Sequence, residues 1–343
     1  MQSRLPGAGA LFPARRSVYI REPGGESEEG PVSAEEQAAA DVLMIRPVRF
    51  AGNPQTLDSN KFQRVEAGAG ADAVQAAALA EFEGLAAALR AAGVGVHMFD
   101  DTPEPPTPDS IFPNNWLSFH ADGTAVLYPM MAENRRWERR SDILEQLSVA
   151  HGFRISRVLD LTHHEREGKF LEGTGSLVLD RIHRIAYACI SPRTNMDVLG
   201  DFAQQLDYDI VAFEARDAAG VPIYHTNVLM CVGSRFAAIC SECIREDERA
   251  GVLDALSSTG HTLVNLSYEQ LDSFAGNMLE LRSHSSGTVV AMSTRARDSL
   301  SPEQRATIEE YGGPIVAAAI PTIETLGGGS VRCMLAEVHL KKK

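Results

Sequence analysis

The 343-residue chain has no apolar run of the about 18 residues that a membrane-crossing helix needs, so no membrane helix is expected. Positive charge is in deficit, with 32 Lys and Arg against 46 Asp and Glu and a net charge of −14. A surface of that sign repels phosphate backbones and anionic lipid, so neither nucleic acid nor a membrane is expected as a partner. Cysteine is scarce and odd in number: Cys189, Cys231, Cys240, Cys243 and Cys333. That set does not make a disulfide framework and fits a reduced, cytoplasmic protein. Cys240 and Cys243 form a CxxC without the second pair or the thioredoxin-like setting that zinc or redox chemistry wants, so no metal is expected there. The N-terminus lacks the apolar core of a secretory signal. Residues 1–40 pass from a basic, acid-free stretch ("MQSRLPGAGALFPARRSVYIR") to an acidic one rich in Pro and Gly. They are expected to be a disordered or targeting extension, and a transit peptide would place the protein in a mitochondrion or other organelle instead.

What remains, residues 41–343, has the composition of a soluble globular domain, and one repeat-built domain accounts for its length. A pattern recurs in it: short strand, polar turn, second strand, helix. The turns fall at Ala121–Thr124, Asp180–His183, Val232–Arg235 and Ser283–Gly287. Helical text covers 73–92, 136–150, 196–205 and 242–256, and Ser301-Pro302 reads as a cap and first residue of another helix. At the head of each first strand stand Asn115, Glu172, His225, Asn277 and Cys333, at intervals of 50 to 57 residues. In a roughly circular array, equivalent positions at one end of each module converge on the axis. That gathers an acid, an imidazole, amides and a thiol, the parts of a covalent mechanism. Cys333 also follows Gly327–Gly329, a run that lets backbone approach a ligand closely. His163-His164 with Glu165 is read as a solvated loop, because adjacent residues on a regular element face different ways. His120, His183, His261 and His284 fall in polar turns and are expected at the surface.

The motifs "FLEGTGS" (170–176), "YHTNV" (224–228), "GN" (276–277) and "GGGSVRCM" (327–334), with "ISPRTN" (190–195) and "NRRWER" (134–139), stand in an order that resembles the guanidino-group-modifying superfamily. That superfamily comprises arginine deiminases, dimethylarginine hydrolases and amidinotransferases. "MIRPVRFAGNPQT", "DSIFPNNW" and "YHTNVLMCVG" are most similar to its citrulline-utilisation hydrolase branch, and the likeness spans about residues 42–340. The resemblance implies an α/β fold, the five-bladed pentein propeller of pseudo-repeated ββαβ-type modules, as a single catalytic domain.

The same resemblance implies Cys333 as nucleophile, His225 as proton shuttle and Glu172 as the acid that orients the site. It implies Arg193 at the substrate carboxylate, with Arg135 or Arg136 as a looser match. Asn114, Asn115, Asn227, Asn277 and Asp109 complete the expected substrate contacts. Two positions depart from the family pattern: Asn115 and Asn227 stand where relatives often carry aspartate. An amide lacks the charge that grips a guanidinium but supplies a donor for a ureido carbonyl. The expected function is therefore a cysteine hydrolase of citrulline, giving ornithine, carbon dioxide and ammonia, with no metal or organic cofactor. Asp109 keeps arginine open. Arginine deiminase, amidinotransferase and a non-catalytic pentein binding protein are the alternatives. A small amino acid is the expected partner, and a homo-oligomer is left open.

Overall fold

The computed structural model describes residues 35–64, 70–285 and 287–343. Among the described residues the chain builds five separate three-stranded sheets. In four of them the order along the chain is an antiparallel hairpin, a helix, and a strand added parallel to the hairpin's second strand. These modules use strands Leu117–Phe119, Thr124–Leu127 and Arg157–Asp160, then Leu177–Asp180, Ile185–Cys189 and Asp209–Phe213. The next two use Met230–Val232, Phe236–Ile239 and Thr262–Asn265, then Leu279–Arg282, Thr288–Ser293 and Ile315–Ala318. The fifth is closed by the two ends of the described chain. Ala336–Val338 lies antiparallel to Asp41–Arg46, which is parallel to Gly95–Asp100.

The first strand of each module is buried almost throughout, whereas the third strands are largely half-exposed. First strands touch between the fifth and first modules in the order above, the second and third, and the third and fourth, which sets them on the inner side of the ring. Helices pack outside by ordinary amphipathic spacing. Ala71–Ala91 buries Ala78, Phe82, Leu85, Ala86 and Leu89 on one face. Ser301 caps Pro302–Gly312 in a reciprocal capping box with Gln304.

Several expectations are corrected. The helix expected over 136–150 is two pieces, a short turn Glu133–Glu138 and a helix Ser141–Val149, separated by extended Arg139 and Arg140. Cys333 is not on a strand but in the helical turn Val331–Met334 that leads into one. The expected extension, residues 1–40, lies outside the described residues as far as 34, but Glu35 and Gln37–Ala40 are packed. Gln37 donates to the carbonyls of Leu179 (2.9 Å) and Val232 (3.0 Å), and Glu35 pairs with buried Arg181 at 2.8 Å. His120 and His261 are buried rather than exposed: the His120 ring meets Ser118 Oγ at 3.1 Å, and His261 Nε2 meets the Gly233 carbonyl at 3.0 Å.

Candidate active site

Four of the five module heads sit on short helical turns, or cap them, just before a first strand. Asn115 ends the turn Pro113–Asn115, Glu172 precedes Gly173–Ser176, His225 precedes Thr226–Leu229, and Cys333 lies within Val331–Met334. All five heads are buried. The sequence makes the close approach possible at two glycines. Gly173 has φ +46°, and a side chain there would strike the Asn114 carbonyl. A Cβ on Gly175 would come within 2.8 Å of His225 Nδ1 and would also overlap Asn115 Nδ2.

His225 Nε2 meets Glu172 Oε2 at 2.8 Å. The same carboxylate oxygen takes Arg193 Nη1 at 3.3 Å and has Arg135 Nη1 at 3.9 Å, while its other oxygen accepts the Met131 amide at 3.1 Å. Burial opposes charge on Glu172, but Arg193, His225 and Arg135 outweigh it and hold the carboxyl well below the usual range. Burial pulls His225 down to about 4, with Arg193 and Arg135 adding to the effect and Glu172 opposing it. The resting pair at neutral pH is therefore an ionised Glu172 accepting the Nε2–H of a neutral imidazole. Nδ1 is left as the basic nitrogen.

Amides face the sulfur. Asn277 Nδ2 lies 3.3 Å from Cys333 Sγ and donates to the Asn227 carbonyl, while its Oδ1 accepts the Arg332 amide, so its orientation is fixed. Asn227 Nδ2 is 3.6 Å from the same sulfur. Such donors favour negative charge on sulfur as it develops.

Cys333, His225, Asn115, Asp109, Arg135 and Arg193 line one narrow cavity of about 10 Å³ together with Asn60, Phe112, Tyr224 and Gly327–Gly329. Asp109 Oδ2 accepts from Asn53 at 2.8 Å, but Oδ1 is buried without a protein partner. Burial raises the Asp109 pKa above its usual value against the pull of Arg135 and Asn53. Asn115 Oδ1 accepts Arg135 Nη1 at 2.8 Å. A guanidinium only donates, so this contact fixes the amide and leaves the buried Nδ2 as a free donor.

Of the residues expected from the sequence, Cys333, His225, Asn115, Asp109 and Arg193 reach the cavity wall. Glu172 stands behind His225. Asn227 and Asn277, expected on the substrate, reach the sulfur instead. Asn114 is buried outside the cavity lining, with its carbonyl against Gly173 and Thr174. Between the two arginine candidates burial decides. Arg135 is held by two 2.9 Å bonds to Glu138 at the cavity, whereas Arg136 is half-buried on the Met130 carbonyl. Sequence reasoning missed Ser59, which accepts Arg193 Nη2 at 2.7 Å, and Asn53, Asn60 and Glu138. The loop carrying Ser59 and Asn60 has no motif. Tyr224 was legible only as the neighbour of His225; its hydroxyl donates to the Gly328 carbonyl at 2.6 Å and steadies the glycine run.

The model of the eukaryotic N,N dimethylarginine dimethylhydrolase family matches residues 46–340. The chain belongs to that family. It is thereby a member of the guanidino-group-modifying superfamily, homologous to hydrolases that act on guanidino carbon–nitrogen bonds, and its five-sheet ring is the pentein propeller. Among curated protein sequences nothing matches it. Among solved structures it is similar to the substrate-bound N-terminal domain of ArgZ, an arginine dihydrolase of the cyanobacterial ornithine–ammonia cycle. That likeness has 16% identity and a TM-score of 0.67, and covers 87% of this chain and 97% of that one. It is also similar to AgrE in a ternary complex with ornithine and NAD+, with 16% identity and a TM-score of 0.66, over 88% of this chain and 40% of that one. A dimethylarginine dimethylaminohydrolase carrying an S-methyl-L-thiocitrulline adduct superposes with 14% identity and a TM-score of 0.57, over 87% of this chain and 99% of that one. At such identities the structural likeness speaks for the fold alone.

Proposed function

We propose that this dimethylhydrolase-family enzyme hydrolyses the guanidino group of an arginine-type amino acid through a Cys333 thiol adduct, and that it accepts the ureido product as a second substrate. The observation that carries the first half is Asp109 Oδ1, a buried acceptor without a partner on the wall it shares with Cys333. A buried carboxylate in that state is costly, and a guanidinium satisfies it. This supplies the negative charge that Asn115 and Asn227 do not. The free Asn115 Nδ2 favours the second half, since it is a donor suited to a ureido oxygen. The solved neighbours described above, an arginine dihydrolase and a dimethylarginine dimethylaminohydrolase, agree with that substrate class.

In the proposed reaction Sγ attacks the central guanidino carbon and its proton passes to His225. His225 then protonates the leaving amine as the tetrahedral adduct collapses, and once neutral it activates water to free the thiol. Arginine gives citrulline and ammonia. A second cycle on citrulline takes one water and gives ornithine, carbon dioxide and ammonia. Arg193, whose buried Nε is free and whose fork is held by Glu172 and Ser59, is the group for the substrate carboxylate.

The test is product analysis from arginine, N,N-dimethylarginine and citrulline with wild type and Cys333→Ala. The expected result is release of ammonia or dimethylamine from the guanidino substrates and of ornithine from citrulline, all lost in the variant. Turnover of citrulline alone would remove the arginine reading, and full activity of Cys333→Ala would remove the mechanism.

A further inference from the structure

Adjacent His163 and His164 do not diverge as their sequence position suggests. They lie on the short turn Thr162–Glu167, where their rings stack with centroids 4.1 Å apart. Helix Met196–Leu206 brings Asp201 to the same place. Asp201 Oδ2 lies 3.0 Å from His164 Nε2 and 4.0 Å from His163 Nε2, and one donor atom from each of the three residues falls within 4.8 Å of the others. We propose that His163, His164 and Asp201 form a binding site for a borderline divalent metal of the Zn²⁺, Co²⁺ or Ni²⁺ class.

Three features support it. Imidazole nitrogen with one carboxylate is the donor set these ions prefer over Ca²⁺ or Mg²⁺. His163 Nδ1 lies 3.3 Å from the Asp160 carbonyl, which fixes the tautomer and leaves Nε2 unprotonated and open to a metal. The ligand atoms are already near the spacing of a coordination shell with metal–ligand distances of about 2.0–2.2 Å, so small rotations close it. Glu165 is not a ligand. Its carboxylate is taken by Arg139 at 2.6 Å and the Met130 amide at 2.8 Å, and these bonds anchor the turn. His163 is exposed and the hollow beside it opens outward, so an ion has access and room for water.

The site has a structural consequence. The turn leads into Glu172, and the helix carrying Asp201 follows Arg193; the two segments already meet through the Glu172 amide on the Arg193 carbonyl at 3.2 Å. A metal clips them together at their outer ends, away from the sulfur.

The test uses chelator-treated full-length protein, dialysed against Co²⁺ alone and Zn²⁺ alone, as wild type, His163→Ala, Asp201→Asn and Cys333→Ala. Wild type and Cys333→Ala are expected to bind one equivalent that His163→Ala and Asp201→Asn lose. The Co²⁺ spectrum should show no sulfur-to-metal charge transfer, and metal should raise the Tm of wild type but not of His163→Ala. Matching Tm values of the metal-free forms exclude misfolding as the cause of the loss. Equal binding by wild type and His163→Ala, no binding by wild type, or loss confined to Cys333→Ala overturns the proposal, the last by putting the metal on the active-site sulfur.

Discussion

Asp109 and Gly175 are the residues at which the proposed chemistry is most exposed to experiment. Asp109→Asn removes the one free carboxylate oxygen on the cavity wall while keeping its shape. A charge-assisted hydrogen bond is worth about 1.5–3 kcal/mol, so the KM for arginine should rise by roughly 10- to 100-fold, with citrulline much less affected. Steady-state kinetics on both substrates checks this. The pH dependence has a definite sign. Burial raises the Asp109 pKa in the free enzyme, and a bound guanidinium lowers it again, so binding releases a proton and arginine affinity falls on acidification. Citrulline should show no such fall from this residue. Gly175→Ala places a methyl against Asn115 Nδ2 and the His225 ring. The backbone there can hold an alanine, so the fold should survive while kcat/KM drops by about 100-fold or more, since small displacements of reacting groups are that costly. Much of this site was legible in the sequence, because Cys333, His225 and Glu172 stand in ordered motifs. The turning of Asn227 and Asn277 toward sulfur was not, since an amide's partner is chosen by packing.

At the scale of elements, the hairpin turns were readable because Gly, Asp and Ser mark them chemically, and all four expected turns lie between paired strands. The capping box at Ser301 was half readable, from serine followed by proline. Ser301→Ala should cost about 1 kcal/mol, seen as a lower urea midpoint with kcat unchanged, because the helix lies outside the ring. Phe82→Ala, in the buried face of Ala71–Ala91, should cost about 3–5 kcal/mol by the same measurement. The helical turn that carries Cys333 was not readable. Its residues, Val331–Met334, have the composition of a strand, and only the demand that the thiol meet the axis ahead of Ala336–Val338 makes them turn.

For the whole molecule, the first described module is completed by the last strand, so closure of the ring is a long-range event. Ending the chain at Leu335 leaves Asp41–Leu43 without an antiparallel partner and Arg332 without Glu337. The expected outcome is loss of a cooperative thermal transition by circular dichroism. Acid acts on the buried histidines. Burial pulls His225 down to about 4 and His120 down to about 3, whereas both titrate near 6.5 once unfolded. Below about pH 6.5 the unfolded chain therefore binds more protons, and each group removes up to about 1.4 kcal/mol per pH unit until its folded pKa is reached. Glu35, held near 2 by Arg181 against its burial, adds stability above its unfolded value that is lost only as pH falls toward about 2. The raised carboxyls of Glu138, Asp109, Glu280 and Glu324 act in the opposite sense over the same range, so the histidine contribution is read by difference: the urea midpoint of His120→Gln should fall less between pH 7 and 4 than that of wild type, and an identical pH dependence would contradict the neutral buried state of His120.

The sequence by itself determined the repeat, the hairpins, the net negative charge and the candidate groups for the chemistry, because each is written in local residue chemistry or periodic spacing. The tertiary structure alone decided which arginine faces the cavity, which asparagines serve the sulfur, that Asp109 and Asn115 each present an unpartnered atom, and that two neighbouring histidines converge on Asp201. Those outcomes depend on the mutual placement of segments tens to hundreds of residues apart, and burial there forces each polar group to take the partner that geometry supplies.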